Sequence, residues 1–250
     1  MVHSFLLIGQ SNMAGRGFLS EAEPIGNENI KVLRNGRWLN AFRPINPDRP
    51  FSGVSLAESF ADLYAKEHGV EVGLIPCADG GTNLNLWCVG GRLYDNARYQ
   101  AELAQRTSTI AGVLWHQGES DANEENYALY EEKFLKIMNS LKKDLDLYDV
   151  PFLLGGLGDY LAEYNDGAIK DYYPRINETL EKIARENPMT GFVSAKGLTS
   201  NPDNLHFNTK SLVEFGARYY EEFKKLEDKN KVFVEKVAME YQTRTEMENL

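Results

Sequence analysis

Apolar and polar positions along the chain predict a mostly parallel sheet with helices on both of its faces. The first strand is an apolar run at residues 5–8, which is typical of a strand buried on both faces, and it ends at Gly9. Four more strands are predicted, at residues 70–76, 110–115, 151–154 and 190–194. Helical patterns separate the strands, so the chain is predicted to be an α/β protein with a five-stranded sheet and right-handed crossovers.

Helices are predicted wherever apolar residues recur at helical spacing. The clearest of them begins after Ser55, which can cap a helix, and ends at Gly69. Further helices are predicted at residues 94–105, 126–145, 173–186 and 208–226.

The last part of the chain is a charged segment of helical character. Residues 229–250 place Val234, Val237 and Tyr241 on one face. We therefore expect one domain at residues 1–228, without an internal repeat or linker, followed by a C-terminal charged helical tail. Packing of this tail on the domain is favoured over a partner-binding arm, and a contact that forms a homo-oligomer stays an alternative.

Residues 16–52 are rich in Asn, Pro, Gly and Arg and do not fit a helix. Within them, Asn35-Gly36 separates two short apolar runs and is the strongest short signal for a β-hairpin. We predict a small hairpin, inserted after the first strand and lying near the mouth of the site.

Composition and charge exclude several classes of function. The chain has 250 residues, of which 42% are hydrophobic and 26% charged, as in ordinary soluble globular proteins. Its net charge of −10 argues against nucleic acid or an anionic membrane surface and favours a neutral or cationic small ligand. No apolar run is long enough to span a membrane, and no signal peptide is visible. A cytoplasmic protein is expected, although a chain with its leader removed would look identical.

No motif in the chain indicates a metal or another cofactor. Cys77 and Cys88 are the only cysteines and form no C-x-x-C pair, so neither a disulfide framework nor a zinc site is expected. His116 and Glu119 have a spacing that could bind a metal, but the helical H-E-x-x-H and H-x-x-E-H patterns are absent. Residues 9–15 lack the spacing of a phosphate-binding loop.

Polar residues follow the predicted strands at the sheet edge where open α/β sheets bind ligands. Ser11 comes two residues after the first strand, Gly80 follows the second, and Gln117 and Glu119 follow the third. The segment 203–206 lies in the loop after the last strand. We expect these four loops to converge at one edge of the sheet.

These loops contain the components of nucleophilic acyl transfer, which needs a hydroxyl, a base and a carboxylate that orients the base. Ser11 can supply the hydroxyl. Asp203 and His206 are three residues apart, so the carboxylate can meet Nδ1 while Nε2 faces outward. The backbone N–H groups of Ser11 and Gly80 and the Gln117 amide are candidate donors to the oxyanion, each worth about 3–4 kcal/mol.

Each feature also has an explanation without catalysis. A serine after a glycine at a strand end is commonly part of a turn, and Asp203 could cap the segment that follows it. Ser120 is a rival nucleophile, but no base is implied for it.

Four motifs, taken together, resemble the SGNH hydrolase superfamily. They are GQSNMAG at the first strand, GGTNLNLW after the second, WHQGESD after the third and DNLH near the end. Their order and their span, about residues 3–225, are most similar to carbohydrate esterase family 6 acetyl xylan esterases and the sialate O-acetylesterase-like group. The resemblance implies a three-layer α/β/α sandwich of SGNH (flavodoxin-like) topology and metal-independent hydrolysis of acetyl esters on sugars.

The resemblance also implies a role for each residue. Ser11 would be the nucleophile, His206 the base and Asp203 its partner, with an oxyanion hole formed by the Ser11 N–H, the Gly80 N–H and the Gln117 side chain. Glu119 would be an additional acid that shares the support of His206 with Asp203.

The expected partner is an acetylated sugar or oligosaccharide. Trp38, Trp87 and Tyr94 are candidates for stacking on it, with core packing as the alternative explanation. An SGNH lipid esterase or thioesterase, or a non-catalytic carbohydrate-binding protein on the same fold, are the alternative functions. The polar composition of residues 16–52 favours sugars over acyl chains.

Overall fold

A computed structural model describes residues 2–248, except for the side chains of residues 228–246 and 248. Its strands are β1 (Val2–Gly9), β2 (Ile30–Arg34), β3 (Arg37–Asn40), β4 (Val72–Pro76), β5 (Ser108–His116), β6 (Phe152–Gly155) and β7 (Thr190–Val193). They form one sheet in the order β3-β2-β4-β1-β5-β6-β7. Neighbouring strands are parallel except β2 and β3, which are antiparallel.

The sheet has seven strands rather than the five predicted, because the hairpin joins it. Asn35 and Gly36 form the turn with positive φ angles of 50° and 73°, as the hairpin signal requires. Strand β2 then pairs with β4, and Val32 and Leu33 are buried on opposite faces of the sheet. The hairpin therefore forms one edge of the sheet, and its position near the mouth of the site stays a prediction.

The helices are α1 (Ser11–Ala14), α2 (Leu56–His68), α3 (Arg92–Gln105), α4 (Glu124–Tyr127), α5 (Tyr130–Asp144), α6 (Tyr173–Glu186) and α7 (Thr209–Glu248). Ser55 caps α2 as predicted: its hydroxyl accepts from the backbone N–H of Ala57, and Glu58 accepts from the Ser55 N–H. The helix predicted at residues 126–145 is instead two helices, α4 and α5.

The helices cover both faces of the sheet, which confirms the predicted three-layer α/β/α architecture. Helices α2 and α7 pack on one face around Phe5 and Leu7 of β1. Helices α3, α5 and α6 pack on the other face around Leu6 and Ile8. Successive residues of β1 face opposite cores, and all four are fully buried, which explains the continuous apolar run.

The predicted boundary at residue 228 lies within α7, whose backbone continues to Glu248. The side chains of Val234, Val237 and Tyr241 lie outside the described residues, so the packing of the C-terminal segment stays a prediction. Over the part of the chain that is described, no helix combines the length and the apolar character needed to cross a membrane.

Lys142 of α5 is a buried cation whose partners are neutral. Its Nζ donates to the carbonyl of Pro188 at 3.2 Å and to the hydroxyl of Thr190 at 3.1 Å, and it lies 6.0 Å from the centre of the Phe152 ring. Burial lowers the pKa of Lys142 from 10.5 to about 8. The fold therefore holds this ammonium group less favourably than water does.

We expect Lys142 to make the free energy of unfolding rise between pH 8 and 10.5. In this window the unfolded chain keeps the lysine proton and the folded chain loses it, so the unfolded state binds more protons and stability increases with pH. Urea unfolding of the wild type and of Lys142→Met measures the effect. The free energy of unfolding of Lys142→Met minus that of the wild type should become smaller in signed value from about pH 7.5 to about pH 10. A difference that stays constant would contradict the assignment.

Candidate active site

Ser11 is held at the carboxyl edge of the sheet by the close approach of β1 and β5. Gly9 has a φ of +127°, and a Cβ there would lie 2.1 Å from the carbonyl oxygen of His116, so only glycine permits the approach. The chain then turns into α1, of which Ser11 is the first residue. Ser11 is 5% exposed and lines a cavity of about 360 Å³, which we call the serine cavity.

Ser11, His206 and Asp203 form one hydrogen-bonded chain. Nδ1 of His206 lies 2.6 Å from Oδ2 of Asp203, and Nε2 lies 3.0 Å from the hydroxyl oxygen of Ser11. With Nδ1–H donated to the carboxylate, Nε2 is the acceptor for the serine proton. The predicted convergence of the first and last loops is therefore present, in the geometry that acyl transfer requires.

The Asp203 carboxylate is held in its ionised form by the loop that carries it. Burial alone would raise its pKa, but the backbone N–H groups of His206 and Leu205, together with the His206 imidazole, outweigh burial and lower the pKa of Asp203. Both N–H groups donate to Oδ1 at 3.0 Å. The other oxygen, Oδ2, is thus free to orient the imidazole as a charged acceptor.

Asn12 connects the turn that carries Ser11 (the serine turn) to the loop that carries His206 (the histidine loop). Its Nδ2 donates to the carbonyl of Leu205 at 3.1 Å, and its Oδ1 accepts from the backbone N–H of Phe207 at 3.1 Å. These two residues flank His206, so the Asn12 amide holds the chain on both sides of the base. The separation of Ser11 and His206 is thereby fixed by the residue next to the serine.

Glu119 lies behind Asn12 and not against His206, which corrects its predicted position. Its Oε1 accepts from Nδ2 of Asn12 at 2.5 Å and lies 3.3 Å from Nε2 of His116. Burial would raise the pKa of Glu119, but the His116 imidazole and the Asn12 amide outweigh it and lower the pKa. Asp203 is the carboxylate that contacts His206, and Glu119 orients Asn12.

His116 and Glu119 were also the residues whose spacing could have bound a metal. In the structure they are partners of each other. Among the described residues, no group of three or more His, Cys, Asp or Glu side chains is arranged to hold a metal ion.

Gly80 lies beside Ser11, and its N–H donates to a carboxylate. A Cβ at Gly80 would lie 3.4 Å from the Cβ of Ser11 and 2.6 Å from Nη2 of Arg16, so the glycine is required for this packing. Its N–H donates to Oδ2 of Asp48 at 2.8 Å. Two of the three predicted oxyanion donors, the N–H groups of Ser11 and Gly80, thus belong to residues that line the serine cavity.

The Gln117 amide does not reach the serine cavity. The side chain is fully buried, and its Nε2 donates to the carbonyl of Thr82 at 3.1 Å and to Oδ2 of Asp121 at 2.5 Å. The buried Asp121 carboxylate accepts a hydrogen bond from the Gln117 amide, which was predicted to face the oxyanion. Gln117 therefore braces the loop that follows Gly80, and its predicted place in the oxyanion hole is corrected.

Arg16 and Asp48 are site residues that the sequence analysis missed. They form a bidentate ion pair, with distances of 3.0 and 2.7 Å, and both side chains are buried. Burial would raise the pKa of Asp48, but hydrogen bonds from Arg16 and Ser52 outweigh it and lower the pKa. Both residues lie in the irregular segment 16–52, where no periodic pattern marks them.

The aromatic residues predicted to stack on a sugar lie elsewhere. Trp87 and Tyr94 are buried in the core, and Nε1 of Trp38 donates to Thr107, just before β5 begins and thus at the opposite edge of the sheet. Phe51 instead lines the serine cavity and is 68% exposed. The rival nucleophile Ser120 also lines this cavity, but the imidazole of His206 contacts Ser11.

Comparison with known proteins gives a family match over most of the chain. Residues 1–225 match the model of a family described as carbohydrate esterase, sialic acid-specific acetylesterase. A probable carbohydrate esterase from Arabidopsis thaliana is 30% identical to this chain, and the match covers 85% of this chain and 86% of that protein.

Solved structures show the same fold. The X-ray structure of an Arabidopsis thaliana protein has a TM-score of 0.78 at 27% identity and covers 89% of this chain and 98% of that one. The crystal structure of NanS has a TM-score of 0.73 at 18% identity, covering 91% and 98%. A carbohydrate acetylesterase from Xanthomonas citri has a TM-score of 0.62 at 20% identity, covering 88% of this chain and 54% of that one.

We expect Asn12→Ala to lower the free energy of unfolding by about 2–4 kcal/mol, because it removes partners from the backbone groups of Leu205 and Phe207 and from the buried Glu119. Asn85→Ala, at an exposed asparagine that accepts from Lys133, is the matched control and should change stability by less than about 0.5 kcal/mol. Urea unfolding measures both values. Equal losses of unfolding free energy in the two variants would contradict the proposed role of Asn12 in connecting the two segments.

Proposed function

Starting from the fact that this chain belongs to the carbohydrate esterase family of sialic acid-specific acetylesterases, we propose that it is a serine esterase that removes O-acetyl groups from carbohydrates such as acetyl xylan or related acetylated sugars. The observation that carries the proposal is the unbroken hydrogen-bonded chain from Ser11 through His206 to Asp203. The family acts on esters, and this chain of groups is what ester hydrolysis through an acyl-enzyme needs.

In the proposed first half-reaction, Oγ of Ser11 attacks the acetyl carbonyl carbon while Nε2 of His206 takes the serine proton. The tetrahedral intermediate collapses when His206 gives this proton to the sugar oxygen, so the sugar leaves as an alcohol and an acetyl ester remains on Ser11. In the second half-reaction His206 deprotonates a water molecule, which attacks this ester. Acetate leaves, and the proton returns to Ser11.

Asp203 supports both half-reactions by keeping Nδ1 of His206 protonated and the imidazole ring in place. Because its pKa is lowered, the carboxylate is charged whenever the imidazolium forms beside it. Each proton transfer through Nε2 is then stabilised by a negative charge 2.6 Å from Nδ1.

The proposed oxyanion hole consists of the backbone N–H groups of Ser11 and Gly80. The Gly80 N–H now donates to Asp48, whose carboxylate also accepts from Arg16 and Ser52. Asp48 keeps these other donors if the Gly80 N–H turns to the substrate. One such donor is typically worth about 3–4 kcal/mol in the transition state.

The lining of the serine cavity supports a short acyl group over a lipid chain or a long thioester. Arg16, Arg49 and Glu119 contribute charged groups to a cavity of about 360 Å³. A non-catalytic sugar-binding protein, the other alternative, has no need of a serine hydroxyl aligned with an imidazole and a carboxylate.

We also propose that the esterase unit ends near residue 228 and that residues 229–250 are a helical C-terminal tail. The family match ends at residue 225, which supports this division.

Replacement of the nucleophile tests the mechanism directly. We expect Ser11→Ala to lower kcat/KM for acetate release from acetylated xylan and from 4-nitrophenyl acetate by roughly 10⁴-fold or more, with the fold intact by circular dichroism. Ser120→Ala, at the other serine of the same cavity, is the matched control and should keep most of the activity. A fluorophosphonate should label Ser11 in the wild type, and full activity of Ser11→Ala would remove this residue from the mechanism.

The pH dependence tests the two acid–base groups. On the acidic side, log(kcat/KM) should fall with a slope of one, because only neutral His206 can accept the serine proton. Asp203 does not add to this slope, since its lowered pKa keeps the stabilising negative charge until the pH falls through that lowered value. Initial rates from about pH 4 to pH 9 measure the profile. A flat acidic side would exclude His206 as the base, and a slope of two would show that Asp203 protonates with it.

A further inference from the structure

A second cavity, of about 710 Å³, opens beside the serine cavity. We call it the aromatic groove; apolar side chains of Phe18, Leu19, Pro50, Phe51 and Pro202 line it. Arg16, Phe51 and His206 border both cavities, so the groove is continuous with the catalytic site at the base.

We propose that the aromatic groove binds the leaving sugar as an uncharged pyranose ring, stacked on Phe51 and Phe18. This inference rests on the proposed acetylesterase function and adds to it the position and the chemical class of the leaving group.

The side on which the leaving sugar lies follows from the role of His206 as the base. Ser11 and Gly80, which carry the proposed oxyanion donors, line the serine cavity and do not line the groove, so the acetyl carbonyl lies in the serine cavity. The leaving oxygen must lie within reach of Nε2 of His206, which protonates it. Since His206 borders the groove as well, a ring attached to that oxygen passes the imidazole and enters the groove.

The walls of the groove present the surface that a sugar ring needs. Phe51 is 68% exposed, and Phe18 and Leu19 are each 47% exposed, so three large apolar side chains face solvent in one place. Such a patch is unfavourable in water and commonly marks a binding site. A pyranose offers a face of C–H groups to an aromatic ring while its hydroxyls remain in water or reach Ser20, an exposed polar residue of the lining.

Contacts within the protein hold part of each wall of the groove. The Phe51 ring lies 5.3 Å from the guanidinium of Arg16, which Asp48 holds, and the adjacent Ser52 donates to Asp48 at 2.7 Å. On the other wall, the carbonyl of Phe18 accepts from the Thr209 hydroxyl at 3.1 Å. A wall that is already held in this way loses less conformational entropy on binding, which favours a weakly interacting ligand such as a sugar.

The charges of the groove favour an uncharged ring over a carboxylated one. Its two charged lining residues are Arg16 and Asp203, and each already has a partner, Asp48 and His206 respectively. A sugar carboxylate that bound the Nη groups of Arg16 would have to displace Asp48 from a buried bidentate pair, which is strongly unfavourable. The net charge of −10 adds a further unfavourable contribution for an anion.

The test compares an ester whose alcohol is a neutral pyranose with one that has no ring. We expect Phe51→Ala and Phe18→Ala each to lower the ratio of kcat/KM for tetra-O-acetyl-xylose over ethyl acetate by about tenfold, a typical effect of losing an aromatic stacking partner. Phe42→Ala removes an exposed phenylalanine outside both cavities and should leave the ratio unchanged. Phe51→Tyr keeps an aromatic ring and should restore the ratio to within about threefold.

Thermal unfolding of each variant checks that the fold is kept. An unchanged ratio in Phe51→Ala and Phe18→Ala overturns the inference, and so does a loss that appears instead in Tyr164→Ala, which would place the sugar in the serine cavity. A higher kcat/KM of the wild type for O-acetylated sialic acid than for acetylated xylose overturns the uncharged class. These outcomes leave the esterase intact, whereas full activity of Ser11→Ala would refute the proposed function itself.

Discussion

The site depends on one side-chain amide, that of Asn12, which joins two parts of the chain almost two hundred residues apart. The serine turn follows β1 in the centre of the sheet, and the histidine loop precedes α7. Asn12 donates to the carbonyl before His206 and accepts from the N–H after it, so the base cannot move away from the serine without breaking both bonds. The sheet fixes one end of this connection, because Gly9 allows β1 to pack against the end of β5. Everything proposed about proton transfer assumes this distance.

Behind Asn12 lies a buried polar network, and such a network is stabilising only when its members are satisfied. Glu119 accepts from Asn12 and faces His116, which is fully buried between the sheet and the rings of Phe207 and Phe215. A carboxylate in this position fixes which way the Asn12 amide points, since its NH₂ must face the acceptor. Nδ1 of His116 and Oε2 of Glu119 have no hydrogen-bond partner among the described residues, so we infer that the network contributes orientation more than stability.

The sequence predicted those parts of the fold and site that depend on local patterns. Residues 5–8 of β1 face two cores and must be apolar, the turn at Asn35-Gly36 needs positive φ, and Asp203 with His206 meet within one short loop. Where a side chain can bond to several partners, the local pattern does not say which one it takes. Gln117 could have faced the serine, but a carboxylate four residues later binds its amide.

For the same reason, the local pattern did not predict the ion pair between Arg16 and Asp48 beside the site. Arg16 and Asp48 are 32 residues apart in a segment without periodicity, and only the folded chain shows that they pair. This ion pair stands between the serine cavity and the aromatic groove, since Asp48 holds the Gly80 N–H on one side and Arg16 lies under the Phe51 ring on the other. The position of a proposed oxyanion donor and that of the proposed sugar platform are thus set by one buried contact. A displacement of Asp48 would change the surroundings of both, so we expect the proposed acetyl binding and the proposed sugar binding to depend on this same contact.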